Sequence, residues 1–392
     1  YFKGIVNSKL IKIVSGIRRC GKSVFIYNLL KDKKFAYMNF DDERLYNLNT
    51  DNILSSFYEI YGKDFKIIFF DEIQNLDKWE LFVNRLHRAG FNLFITGSNS
   101  KLLSRELATH LTGRHITVEL FPFSFREYLN AIDFKEENGT TKARGILKKE
   151  FRKYLDDGGF PEIIVENENP KIYITELYRK IIERDIVQRY DISYKKTFRE
   201  ISMNLISNPA RKVSYNKIKN QFSLGSEHTV KNYLSYLEES YIIFLLNRFS
   251  FKPVEIEKSE KKVYVIDSGF ISKASIKFRE DFGAVYENMA AIELQRRKSF
   301  LNNMEFFYWK NEKHEEVDFV VKEGLKIKQL IQVCYDINNY ETKERELRSL
   351  IKASKELKCK NLLVVTGDYE GDEDIGGKKI NYIPLWKWLL KE

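Results

Sequence analysis

Residues Gly16 to Ser23 spell GIRRCGKS, which meets the pattern G-x-x-x-x-G-K-[ST] at every fixed position. The string follows the apolar run LIKIVS and opens the amphipathic run SVFIYNLL, so it predicts a turn between a strand and a helix. In that setting the backbone N–H groups of the loop Ile17, Arg18, Arg19, Cys20, Gly21, Lys22 and Ser23 converge at a helix N-terminus, where an anion is stabilised. Gly16 and Gly21 permit torsions and close approach that a Cβ would block. Lys22 is placed to neutralise β- and γ-phosphates, and the Ser23 hydroxyl to ligate Mg²⁺.

A strand that carries such a loop needs a sheet around it. From Leu10 to about Thr96 short apolar runs alternate with amphipathic ones, which predicts an α/β fold with a parallel sheet covered on both faces. One run, KIIFFDEIQ, ends in two acids and delivers Asp71 and Glu72 to the edge where the phosphate loop lies. Asp71 is expected to hold the Mg²⁺ shell, and Glu72 to orient and deprotonate a water. The run FNLFITGSNS brings Thr96, Ser98 and Asn99 to the same edge, and Asn99 is the candidate for contact with the γ-phosphate or the lytic water. Arg114, Arg105, Arg18 and Arg19 are candidates for a cation on the transferring phosphate. No NKxD string occurs, so adenine is favoured over guanine and the expected cofactors are ATP and Mg²⁺.

The remaining length must be filled by other domains, because 392 residues exceed one ordinary core. With 43% hydrophobic and 14% aromatic residues, disorder is excluded as a general description. The longest apolar runs, IIFF and YIIFLL, are far shorter than the roughly 18 residues of a membrane span. No membrane partner and a cytoplasmic location are therefore expected. Three cysteines without metal-type spacing argue against a disulfide framework or a zinc site. A formal charge of +10, spread along the chain, makes an acidic partner such as DNA plausible without singling out a surface.

Further along, Pro122 and Ser124 begin a helix FREYLNAI, and two helices flank the turn DGGFPE. Between Lys195 and Lys262 three helical stretches precede two apolar strands, the order of a winged helix. Its predicted recognition helix offers Ser226, His228, Thr229, Lys231 and Asn232 to a groove, with Arg248 and Lys252 on the wing. From about Phe270 a helix and several strands describe a second α/β domain.

Taken together, GIRRCGKS, IIFFDEIQ, LFITGSNS, LTGRHITVELFPFSFREYL and GGFPE resemble the AAA-type ATPases of archaea and bacteria that carry a winged helix and a C-terminal domain. The resemblance spans essentially the whole chain. It implies the AAA-type strand order, ATP and Mg²⁺ at the positions named, and Arg114 at the family's GR position. The expected domains are 1–165 for the P-loop core, 166–195 for a helical lid or connector, 196–262 for the winged helix and 263–392 for the last domain. That last domain resembles a restriction-endonuclease fold of the PD-(D/E)XK kind. Glu287 and Asp318 stand where its helix acid and its strand-end Asp belong, but Gln332 and Cys334 replace the acid and the lysine of its E-x-K strand. The fold is expected to be kept and the nuclease chemistry lost, for want of an anionic ligand and an ammonium.

The leading functional expectation is an ATPase that switches a DNA- or protein-binding C-terminal half, possible homo-oligomerisation included. The alternatives are an ATP-gated nuclease and a regulatory or defence scaffold with little turnover. A small-molecule kinase is disfavoured, because Glu72 beside Asp71 suits water activation.

Overall fold

The structure is a computed structural model that describes residues 2–45, 48–99, 113–135, 140–276, 281–301 and 303–391. They form two compact units, one of residues 1–122 with 239–241, the other of residues 123–238 and 242–392.

In the first unit five strands pair in the order β2-β3-β4-β1-β5, where β1 is Ile11–Gly16, β2 Phe35–Asn39, β3 Ile67–Asp71, β4 Asn92–Gly97 and β5 His115–Leu120. Every pairing is parallel. All six residues of β1 are buried, which the unbroken apolar run requires of a strand covered on both faces. Phe57, Phe70, Trp79 and Phe82 fill one core, and Val14, Ile26, Leu30, Phe69 and Phe94 another. Because the strands run the same way, Gly16, Asp71 and Gly97 all finish at one edge, with Ser15 opposite Gly97 and Asn39 opposite Asp71. Arg105 falls on 100–112, outside the described residues.

The second unit begins earlier than the expected boundary at 165. Phe125, Tyr128, Phe151 and Tyr154 share a core with Tyr264, Tyr286 and Met289, so the helices Phe125–Ala131 and Thr141–Asp157 pack within this unit. Ser124 caps the first of them in a reciprocal box with Glu127. The turn DGGFPE is shaped by a buried carboxylate. Asp267 accepts hydrogen bonds from the amides of Gly159 and Gly269, both at 2.8 Å. A Cβ on Gly158 would meet Asp267 at 2.1 Å, and one on Gly159 would meet the Phe123 carbonyl at 2.3 Å. Beyond it the helix Pro170–Lys180 continues as a π-helical stretch, Ile181–Gln188.

Helices Lys195–Ser207, Tyr215–Gln221 and Glu227–Glu239 accompany a small antiparallel sheet of order β6-β8-β7, with β6 Lys212–Val213, β7 Ile243–Leu246 and β8 Lys261–Val265. The sequence run YIIFLLNRF suggests a longer β7. The chain leaves it after Leu246 because Asn247 and Phe249 exchange backbone bonds with Tyr308. Arg248 goes with them and donates to the Lys310 carbonyl at 2.6 Å, so it does not extend from a free wing.

The last sheet has the order β13-β14-β12-β11-β10-β9. Its strands are β9 Met304–Lys310, β10 Glu316–Glu323, β11 Lys326–Cys334, β12 Leu362–Thr366, β13 Gly371–Ile375 and β14 Lys378–Pro384. β9, β10 and β11 form an antiparallel meander, while β11, β12 and β14 are parallel. The helix Phe282–Phe300 precedes the sheet, and Tyr340–Glu356 makes the crossover from β11 to β12. No helix among the described residues is long and apolar enough to cross a membrane.

Candidate nucleotide site and a second buried centre

The phosphate loop turns as its glycines predict. Gly21 has φ 96° and Arg19 φ 66°, both left-handed, and the helix Lys22–Leu30 starts immediately afterwards with no side-chain cap. Its first-turn amides are thus available to an anion. A Cβ on Gly16 would meet the Leu120 carbonyl at 2.2 Å, so the close approach of β1 to β5 demands glycine there. Cys20 is buried with its thiol toward that carbonyl, and burial pushes its pKa up to about 11, which leaves it an inert packing group.

Lys22 is buried at the loop's centre, its ammonium 3.2 Å from the carbonyls of Gly16 and Ile17 and 3.3 Å from Glu72 Oε1. Glu72 reaches it from a left-handed backbone, φ 49°. The other carboxylate oxygen accepts from Gln74 at 2.5 Å and from the Ser98 amide and hydroxyl at 3.2 and 2.9 Å. Burial opposes ionisation of Glu72, but Lys22, Gln74 and Ser98 outweigh it and hold the carboxyl down at about 2. Asp71 beside it accepts from the Thr96 hydroxyl and, at 3.3 Å, from Tyr37. Thr96 also accepts the Glu72 amide at 2.9 Å, so one hydroxyl sets both acids. Ser23 and Asp71 offer the hard oxygen donors that suit Mg²⁺, and the uncapped helix start suits phosphate.

Asn99 is buried two residues beyond the end of β4. Arg18 is ion-paired with Asp41 at 2.8 Å. Arg114 is not brought to this site within the chain. It precedes β5, whose His115 lies opposite Ile11 at the start of β1, so the length of that strand, roughly 17 Å, separates it from the loop. It is exposed, 3.4 Å from Asn84. The sequence reading overlooked Gln74, Tyr37 and Asp41. Gln74 had a usable signal, since two residues after Glu72 a turn can fold it back.

A second cluster lies in the other unit. Glu287, Asp318 and Gln332 lie in one cluster, with Gln332 donating to Asp318 at 2.8 Å and to Glu346 at 2.6 Å. Cys334 Sγ turns to the Asp336 carbonyl at 3.7 Å. The expectation that no ammonium is present is overturned. Lys262, from β8, sits 2.7 Å from Glu287, 2.8 Å from Glu316 and 2.9 Å from Asp318.

The loop and the five-stranded parallel order are those of a P-loop fold of the AAA type, and residues 8–129 match the family described as AAA domain. The chain belongs to one family with the uncharacterized protein MJ1544 of Methanocaldococcus jannaschii, 41% identical over 97% of this chain and 88% of that one. An uncharacterized protein of Haemophilus influenzae is 27% identical over 97% of this chain and 94% of its own. Residues 148–281 and 282–388 match two families, each described as a domain of unknown function. Among solved structures, a Walker-type ATPase of Pyrococcus abyssi is similar with a TM-score of 0.42 and 15% identity, over 70% of this chain and 93% of that one.

Proposed function

We propose that this protein binds ATP with Mg²⁺ at the loop Gly16–Ser23, hydrolyses it, and uses the cycle to switch its C-terminal half. The observation that carries the reading is the Lys22–Glu72 contact at 3.3 Å, which joins the phosphate-binding cation to the candidate base. Ser23 and Asp71 would hold Mg²⁺, which would supply charge neutralisation at the phosphates. Lys22 binds and orients the β- and γ-phosphates. As its ammonium turns to them, Glu72 loses the charge that contributes most to its low pKa and becomes a better base for a water. Ser98 and Gln74 keep the carboxylate oriented through that exchange, and Asn99 is the candidate to touch the water or the γ-phosphate.

The test is Mg²⁺-dependent release of phosphate from ATP by the purified chain. Glu72→Gln is expected to leave nucleotide binding intact and lower turnover by about 10²-fold or more. Turnover equal to wild type would remove Glu72 from the mechanism, and tight binding with turnover near zero in the wild type would favour the scaffold reading.

For the switched half, the three helices and the sheet β6-β8-β7 support a winged helix, and the meander, the parallel strands and the helix Phe282–Phe300 support a restriction-endonuclease-like fold. Ser226, His228 and Lys231 are exposed at the start of the third helix, which suits DNA as the partner. Stimulation of ATP turnover by duplex DNA, weakening steeply with salt, is the expected result. No binding at low salt with ATP present would move the assignment to a protein partner. Where a second copy joins the assembly, Arg114 is the residue exposed to serve its neighbour's site.

A further inference from the structure

Lys262, in β8, is a lysine whose side chain is 3% exposed and faces three carboxylates. The ammonium donates hydrogen bonds to Glu287 at 2.7 Å and Asp318 at 2.9 Å, and is ion-paired with Glu316 at 2.8 Å. The neighbours confirm that the acids are arranged around this cation. Tyr264 donates to Glu287 at 2.7 Å, Lys212 pairs with the second oxygen of Glu316, and the second oxygen of Asp318 takes the Val333 amide at 3.0 Å and Gln332 at 2.8 Å.

The placement is built and not incidental. Asn288, one residue after Glu287 in the helix Phe282–Phe300, accepts from the Val265 amide at 2.8 Å and donates to the Val265 carbonyl at 2.9 Å. That amide bracket pins β8 to the helix and fixes which of its residues faces the acids. On the other side β8 pairs with both β6 and β7, so its register is set from two directions. The cluster opens on a cavity of about 700 Å³ bordered by Lys212, His314 and Arg348.

We propose that Lys262 is a tethered cation that occupies the carboxylate centre of the C-terminal sheet in place of a divalent metal ion, and thereby locks β8 to that sheet while silencing the centre. The charges are consistent with this occupancy. Three acids beside Lys262 and Lys212 leave one negative charge over, and burial together with Asp318 pushes Glu287 up to about 7, so that a retained proton removes the excess near neutrality. Replacing the ammonium by an apolar chain of similar length strands the acids, which a divalent cation with oxygen ligands can then repair.

The experiment uses the full chain without nucleotide, with MnCl₂ as the probe, and reads thermal unfolding together with the count of bound Mn²⁺ from the spin-resonance signal of the free ion. Lys262→Met is expected to lower the melting temperature by about 10 °C or more in chelator. It should bind one more Mn²⁺ than the wild type, regain part of the lost stability with it, and lose both on adding Asp318→Asn. If Lys262→Met does not fold, the variant that also carries Glu287→Gln and Asp318→Asn should fold, because the stranded charge has been removed. Failure of that variant too would overturn the proposal. So would a Lys262→Met protein as stable as wild type in chelator, or a wild-type Mn²⁺ site that Asp318→Asn abolishes. The ATP reading stands or falls separately, since none of these measurements involves the phosphate loop.

Discussion

Lys22 and Lys262 are both buried lysines facing acids, yet they are held in opposite ways. Lys22 has one carboxylate at 3.3 Å and two carbonyls at 3.2 Å, contacts that a phosphate can replace with stronger ones. Lys262 has three carboxylates between 2.7 and 2.9 Å, and nothing that arrives from solvent can better them. A cation in a loosely satisfied site is exchangeable and suits a ligand-driven cycle. One in a saturated site is architecture. The same residue type, equally buried, serves either purpose according to how many partners close on it.

The largest effect expected from breaking this contrast is at Lys22. Lys22→Ala should weaken ATP binding by about 100-fold or more, as two charge-assisted hydrogen bonds of about 1.5 to 3 kcal/mol each disappear. Stability should change far less than in Lys262→Met, since Glu72 keeps its bonds to Ser98 and Gln74. Calorimetric titration with ATP and thermal unfolding of the two variants side by side would measure the difference. Equal destabilisation would erase the distinction between the sites.

Asp267 sharpens the comparison from the other direction, as a buried acid held by amides and not by a cation. Burial raises its pKa from 3.8 to about 6, although the amides of Gly159 and Gly269 pull the other way. A raised folded-state pKa means the folded chain binds the proton more tightly. Its contribution is therefore most favourable below about pH 4 and is lost as pH rises to about 6, a change on the order of 3 kcal/mol. Denaturant unfolding at pH 4.5 and pH 7 should show a smaller pH dependence for Asp267→Asn than for wild type. An identical dependence in both would mean that the amides fully offset the burial.

The smallest effect is expected at Arg114. Exposed and at the far edge of the sheet, it should change ATP turnover no more than about twofold when replaced by Ala in a monomeric preparation. A loss of a hundredfold or more at assembly-forming concentrations would show that a second copy delivers it, and that the looser site admits another cation.

The nucleotide site was legible because its chemistry is local. GIRRCGKS and FFDE place their groups by strand direction alone, and a parallel sheet brings the ends of β1, β3 and β4 to one edge whatever lies elsewhere. The five strands of the first unit and the capping box at Ser124 follow from apolar runs and short-range spacing for the same reason. The limits appear where residues distant in sequence meet. Gln332 and Cys334 suggested an emptied centre, because the motif was sought along one hairpin. The cation came instead from β8, 56 residues before Asp318, at the start of the strand KKVYV. Arg114 was a candidate by its neighbours in sequence, for its own chain or for a second copy, and the parallel register of β5 sets it away from the loop of its own chain. Sequence alone thus determined which groups each strand carries and the edge to which it delivers them. Which strands lie side by side, and so which charge neutralises which, was decided only by tertiary packing, since burial makes an acid seek its partner from whatever element lies within about 3 Å.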